Sequence, residues 1–427
     1  MSQTVLPSSI NYAEQLPYLP SQVQNLTQVL APINGASFTD GQQIIFDIPS
    51  RGFVDPKSVY IRYKNVVVAT AQGSICGCPA FAPFQRIDTF INSSLVESVN
   101  DWNVIAHTWS NLYLGVNEKY GAQGGFGYAD PTPTTVNMDE LDGRVMTATG
   151  DTFSVSCPLP CLMLTSCEKL IPAFATGGIR LVITLDTAVN ITSTGTTAPT
   201  MTLSNIELVY DMVDFGAEIQ AGISMSESLV IKSSGYSLNS TSVSSGTSGQ
   251  QTLVYNQRFA SIKHALFLAS GGKTTALLNG KFDSVNICGN GSYSLFCGGV
   301  QFPQGGALNT QTNRQGILQE LRKATSGSKG LYDWSKSMSI NSIEFGYNEN
   351  DTTTVTQPGK FYVGFSMVKL TGQSEAMLNG TSSQNSPINV QLNIGTATVT
   401  TKNCSLILNY DAILMIDPRT KQVRVNQ

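Results

Sequence analysis

The chain has 427 residues and a formal net charge of −4; charged residues make up 13% of it, hydrophobic residues 41%, and 38 positions are glycine. Apolar residues spread along the whole length at so low a net charge exclude a disordered chain, and the shortage of charge excludes a coiled coil or long-helix protein. Only two histidines occur, His107 and His264, which leaves few routes to a histidine zinc site or a Ser-His or Cys-His pair.

The length is about twice that of a common single domain, so two domains or one large one are expected. No run reaches the roughly 18 apolar residues of a membrane-spanning helix, because Lys263-His264 and Asn409/Asp411 interrupt the longest candidates. The opening Met1-Ser2-Gln3-Thr4 has neither a basic nor an apolar segment, so no secretory signal is expected and synthesis in the cytosol is.

In chain order, the first segment is a neutral arm, residues 1–37. The first basic residue is Arg51, and Pro7, Pro17, Pro20 and Pro32 forbid a long helix. Tyr12, Leu16, Tyr18 and Leu19 are its apolar anchors. A nucleic-acid arm would be basic, since phosphate neutralisation supplies most non-specific binding; this one suits protein surfaces.

Period-two alternation then dominates. Val59-x-Ile61-x-Tyr63, Ile179–Leu185, Ile206–Met212, Ile262–Leu268, Phe361–Met367, Ile388–Ile394 and Leu406–Tyr410 each place one apolar face on a core. Clusters at 191–200 and 240–250 read as turns and surface loops. Two stretches carry a helical period. Val99, Trp102, Ile105, Trp109, Leu112 and Tyr113 share one face, with Asn100 or Asp101 at the start and Gly115 after the end. In the second, Thr312 is the expected cap of a turn running through Ile317, Leu318, Leu321 and Ala324, with Gly327 as the stop.

The halves resemble each other. Ile206-Glu207-Leu208-Val209-Tyr210-Asp211 matches Leu406-Ile407-Leu408-Asn409-Tyr410-Asp411, 200 positions further on (206 to 406), and Ile179–Leu185 precedes the first block as Ile388–Ile394 precedes the second. Each half has one helix midway. Duplication follows, with about eight strands per half. Eight antiparallel strands in two packed sheets make a jelly roll. The expected fold is therefore all-β: two consecutive eight-stranded jelly rolls, at 38–216 and 217–427, each with one short inserted helix, behind the extended arm.

The chemistry-bearing motifs are weak. Gly271-Gly272-Lys273-Thr274 lacks the earlier glycine of a phosphate loop, where Phe267 stands, and no long helix follows; a hairpin turn is expected. The glycines from Gly121 to Gly127 do not sit between a strand and a helix, so a dinucleotide site is not expected. Cys76, Cys78, Cys157, Cys161, Cys167, Cys288, Cys297 and Cys404 have no zinc-ribbon spacing and read as buried thiols, with a Cys288–Cys297 hairpin disulfide as the alternative in an oxidising medium. His107 and His264 read as structural histidines. No G-x-S-x-G elbow occurs, and Asp139, Glu140 and Asp142 look like an exposed turn. A glycosidase needs only two carboxylates close in space, so that class stays open as a minor alternative. The sequons Asn25-Leu26-Thr27 and Asn379-Gly380-Thr381 are expected from composition. No catalytic, cofactor-binding or metal-binding residue is assigned.

Phe84-Gln85-Arg86-Ile87-Asp88, Ile91-Asn92 and Val96-Glu97-Ser98 leading into the Asn100–Tyr113 helix, the strands around Arg180 and Tyr210-Asp211, the Thr312–Ala324 helix, and the run from Gly359-Lys360-Phe361-Tyr362-Val363 to Asp417 together resemble the double jelly-roll major capsid proteins of the adenovirus-hexon, virophage and polinton-like virus lineage. The resemblance covers most of the chain and rests on the order of strands and helices more than on invariant residues. It implies a non-enzymatic virion protein, made in the host cytosol, whose homotrimer is a pseudo-hexameric tile of an icosahedral capsid. Its implied partners are further copies of itself, penton and minor capsid proteins; an internal membrane is left open, and sequence-specific nucleic-acid binding and cofactors are not implied. A ring of unlike faces that closes, with little charge to bury, fits that role. The alternatives are a fibre, spike or lectin-like glycan-binding sandwich, and a single jelly roll with a protruding second domain.

Overall fold

A computed structural model describes residues 23–68, 73–114, 125–127, 143–146, 151–194, 199–270, 281–282, 284–325, 360–369, 378–398 and 400–427. The strands form two sandwiches, built in turn from residues 24–214 and 229–426.

In the first half, one sheet has the order Gln43–Ile48, Ile179–Leu185, Phe84–Ile91, Ser94–Val99. Alternation makes it one-faced: Ile44, Phe46 and Ile48 stand beside Ile183, Leu181 and Ile179, which in turn stand beside Ile87, Thr89 and Ile91. Full burial of each such aliphatic or aromatic side chain contributes roughly 1.5–3 kcal/mol. The facing sheet runs Asp151–Pro158, Tyr60–Val68, Thr200–Asp214, with Gln24–Leu30 and Ser37–Thr39 sharing the far edge of Thr200–Asp214.

The second half repeats this strand for strand. Gly249–Tyr255, Ile388–Ile394, Ser292–Cys297 and Val300–Phe302 make one sheet. Leu229–Val243, Lys402–Asp417, Ile262–Ser270 and Val363–Ser366 make the other. All these pairings are antiparallel, and each half has the four-plus-four strand order of a jelly roll. The two sequence matches hold equivalent places: Ile206–Asp211 and Leu406–Asp411 lie on the long central strands, Ile179–Leu185 and Ile388–Ile394 on the central strands of the opposite sheets.

Several local expectations need correction. Residues 24–30 of the expected arm form a strand hydrogen-bonded along Leu208–Asp214; Tyr12, Leu16, Tyr18 and Leu19 lie outside the described residues. The first helix is Trp102–Tyr113, and Asp101 does not cap it with its side chain because that carboxylate bonds Lys281 instead, at 3.0 Å. In the second, Arg314–Thr325, the capping side chain is that of Asn313, whose Oδ1 accepts the Gly316 N–H at 2.9 Å; the Thr312 N–H is already given to Asn309. Gly115 and Gly327 lie outside the described residues. The serine-rich stretch expected as a loop from 240 is strand up to Val243, because Ser240–Val243 pair with Ser405–Lys402 and the Ser240 and Ser405 hydroxyls bond at 2.7 Å. Likewise Thr192–Thr194 pair with Gly73–Ile75. A helix over Ala217–Ser224 joins the halves; none of its residues is buried, so it has no apolar period to announce it. Among the described residues no helix is long and apolar enough to cross a membrane.

Candidate functional site: the seam between the two halves

The first-half helix is buried on more than its apolar face. Trp102, Ile105, Ala106 and Leu112 pack into the first sandwich, where the Trp102 ring meets Phe81 edge-on at 5.4 Å. Asn103, His107 and Asn111 are also buried; spaced by four, they form one polar stripe, and that stripe reaches the second half. The Asn111 side-chain amide donates to the Tyr362 hydroxyl at 3.1 Å, and the His107 ring lies 5.4 Å from that of Phe282. His107 Nδ1 accepts the Cys78 N–H at 3.0 Å, and Nε2 is 3.0 Å from the Asn111 amide. An imidazole fixed through both nitrogens is a structural connector, not a free base.

At the start of the helix, Lys281 of the second half enters an acidic corner of the first. Its Nζ lies 2.7 Å from Asp186 Oδ2 and 3.0 Å from Asp101 Oδ1; the Asp186 side chain is only 1% exposed. Asn103 and Asn190 donate to the same Asp186 carboxylate at 2.8 and 2.9 Å. Burial by itself pushes the Asp186 carboxyl up, but Lys281 and the two amides outweigh it and hold the group below its usual range. Every oxygen of this carboxylate is engaged, so the corner is an ionic clasp.

At the other end the Tyr113 hydroxyl donates to the Thr325 carbonyl at 3.0 Å, joining the two inserted helices. The second helix lies so close to Val363–Ser366 that a Cβ on Gly364 would come within 2.7 Å of Leu321 Cα. Further along, the Ser233 hydroxyl donates to the Met163 carbonyl at 2.6 Å, the Glu168 N–H to the Lys232 carbonyl at 3.1 Å, and the Asn92 amide to the Lys421 carbonyl at 2.9 Å. The seam therefore sets the Ser94–Val99 edge and Met163 turn of the first half against the Leu229–Val243, Lys402–Asp417, Ile262–Ser270 sheet of the second. These are unlike surfaces.

Among the described residues, the other predicted positions are structural. His264 is buried beside Lys263, and its pKa is held down to about 3, first by burial and then by that charge, so it stays neutral. Cys78, Cys157, Cys161, Cys167, Cys288, Cys297 and Cys404 are buried and unbridged. The Cys288–Cys297 disulfide is absent: the two thiols point to the carbonyls of Ser292 and Ser382. Burial pushes Cys167 and Cys404 up to about 12, which leaves them unreactive. Asn379 of one sequon is 3% exposed, too buried to be glycosylated in the folded chain. Gly271–Thr274, Asp139, Glu140 and Asp142, and most of the Gly121–Gly127 run, lie outside the described residues.

A groove of about 590 Å³ crosses the outer face of the first half between Gln43–Ile48, Ile179–Leu185 and Phe84–Ile91. Its carboxylates are taken: Arg180 grips Asp47 with two bonds of 2.6 and 2.9 Å, and Arg86 binds Asp88 at 2.8 Å. A glycosidase pair needs one free acid and one free base, and this groove has neither. Sequence reasoning missed Lys281, Asp186, Tyr362 and Glu97, because each gains its role from a partner 66 to 251 positions away.

Two jelly rolls follow each other in one chain, each with a helix inserted after an edge strand, Ser94–Val99 in the first half and Val300–Phe302 in the second, which makes the fold a double jelly roll. Among solved structures, the chain is similar to the Faustovirus major capsid protein (9% identity, 97% of this chain and 93% of that one, TM-score 0.60). It is similar as well to the capsid of PBCV-1 (12% identity, 97% and 99%, TM-score 0.58) and to the mavirus major capsid protein (10% identity, 100% and 96%, TM-score 0.51). No protein-family model matches the sequence, and no curated protein matches it.

Proposed function

We propose that this chain is a non-enzymatic major capsid protein: three copies close into a pseudo-hexameric trimer that tiles an icosahedral shell in the virion. The reading divides the chain into an arm (1–37) and two jelly rolls (38–216 and 217–427), and takes further copies of the chain, with penton and minor capsid proteins, as its partners.

The observation that carries the reading is the seam. It joins an edge of one jelly roll to a sheet face of the other, so each chain keeps one unused face and one unused edge. The unused face belongs to the first half, where Val29 is 48% exposed. The unused edge belongs to the second, where Val300 on the edge strand is 43% exposed. A contact between unlike surfaces that repeats by rotation closes a ring. Low charge favours such contacts, because burying unpaired charge is costly.

Electron microscopy of the purified, concentrated protein tests this. Pseudo-hexagonal particles packing into hexagonal sheets or shells are expected; isolated trimers that never tile would favour a fibre or spike instead.

A further inference from the structure

Glu97 lies on Ser94–Val99, the edge strand that the second half covers, and is 4% exposed. Its Oε2 accepts the Met163 N–H at 2.8 Å, whereas Oε1 is buried without a hydrogen-bond partner. Directly across the ladder stands Thr89, whose hydroxyl is also buried and unpartnered. Register partners on antiparallel strands put their side chains on the same face, so the two orphan oxygens share one dry corner. A carboxylate there has a single N–H in place of its water. A neutral acid carries no charge there, so it does not need the second donor that the corner lacks.

Met163 is also the point where the two halves are pinned, since its carbonyl takes the Ser233 hydroxyl at 2.6 Å. The Cys167 thiol points to the same carbonyl at 3.2 Å. The groups around Glu97 give a negative charge no compensation. Cys161 and Cys167 on its own side, and Tyr410 and Tyr236 on the other, are acids that burial keeps neutral. His264, beside Tyr236, is neutral too. The seam's lysines are engaged, Lys263 with Asp411 at 3.4 Å and Lys232 with Glu168 at 3.6 Å, and Asp88 on the opposite face holds Arg86.

We propose that Glu97 is a proton-operated catch between the jelly rolls: as a neutral acid it keeps the Met163 turn closed on Ser233, and loss of its proton loosens that turn from the second half. Burial raises the carboxyl to about 8 against the opposing pull of the Met163 N–H. In the unfolded chain the same group titrates near ~4.3. The folded state therefore holds the proton more tightly: the contribution is complete below ~4.3, declines as pH rises toward about 8, and is gone above it. The catch lies within a single chain and does not depend on the capsid reading.

The test uses the full chain and its Glu97→Gln variant. In the wild type, the infrared carbonyl band of a protonated carboxyl should persist well above the usual carboxylate range and titrate near 8. Hydrogen-exchange protection of residues 162–168 and 229–236, corrected for intrinsic rates, should fall about a hundredfold from about pH 6 to about pH 9, with no such change over Ile179–Leu185. Glu97→Gln should lack both the band and the pH-dependent loss. A wild-type band already absent near pH 6, or a band that titrates while protection stays level, overturns the proposal. If Glu97→Gln does not fold, these two wild-type measurements decide it alone.

Discussion

Glu207 and Ile407 occupy the same place in their two sheets, on the outer face of the long central strand, yet they live in different surroundings. Glu207 is partly exposed and binds the half-exposed Arg62. Ile407 is 1% exposed. The same contrast runs across the neighbouring strand: Val29, opposite Val209, is open, whereas Tyr236, opposite Asn409, is packed against the core. One fold thus carries two kinds of outer face: in the second half Ile407, Leu266 and Gly364 form one cross-strand row, and that half's own Arg314–Thr325 helix covers it. Position in the jelly roll does not decide exposure; the neighbour does.

The comparison can be broken most strongly at the clasp. Lys281→Ala leaves the buried Asp186 carboxylate without its cation, and a loss of about 3 kcal/mol in thermal or urea unfolding is expected. Amide exchange at the start of the Trp102–Tyr113 helix should rise with it, since Lys281 also holds Asp101 there. Gly364→Ala pushes a methyl against the Leu321 backbone and should cost about 2 kcal/mol, read as a lower melting temperature together with faster exchange over Arg314–Thr325. Tyr362→Phe removes one partner of the Asn111 amide across the seam and should cost about 1 kcal/mol by the same unfolding measurement. The smallest effect sharpens the contrast: Val29→Asp, on the open face, should leave the unfolding of the single chain within about 0.5 kcal/mol of wild type.

The sheets were legible in the sequence because period-two alternation is local: Ile179–Leu185 and Ile388–Ile394 state their buried faces within seven residues. Duplication was legible because the repeated central strand kept its apolar positions and its closing Tyr-Asp. The seam was not. Asn103 and Asn111 look like the solvent side of an amphipathic helix; distant partners make them interior, Ala82 and Asp186 of its own half for Asn103 and Tyr362 of the second half for Asn111. The first cap failed for the same reason, since Asp101 binds Lys281, whereas the second failed locally, because Asn313 and not Thr312 caps that helix. Glu97 lies in an unremarkable strand, and its chemistry comes from the absence of a second donor, which no local pattern records.

Mass by light scattering, on wild type and Val29→Asp at matched concentration, tests the central claim most directly. The account predicts three chain masses for the wild type and one for the variant, with both chains fully folded. A wild-type protein that stays at one chain mass at every concentration, or a Val29→Asp variant that assembles as well as wild type, would contradict it.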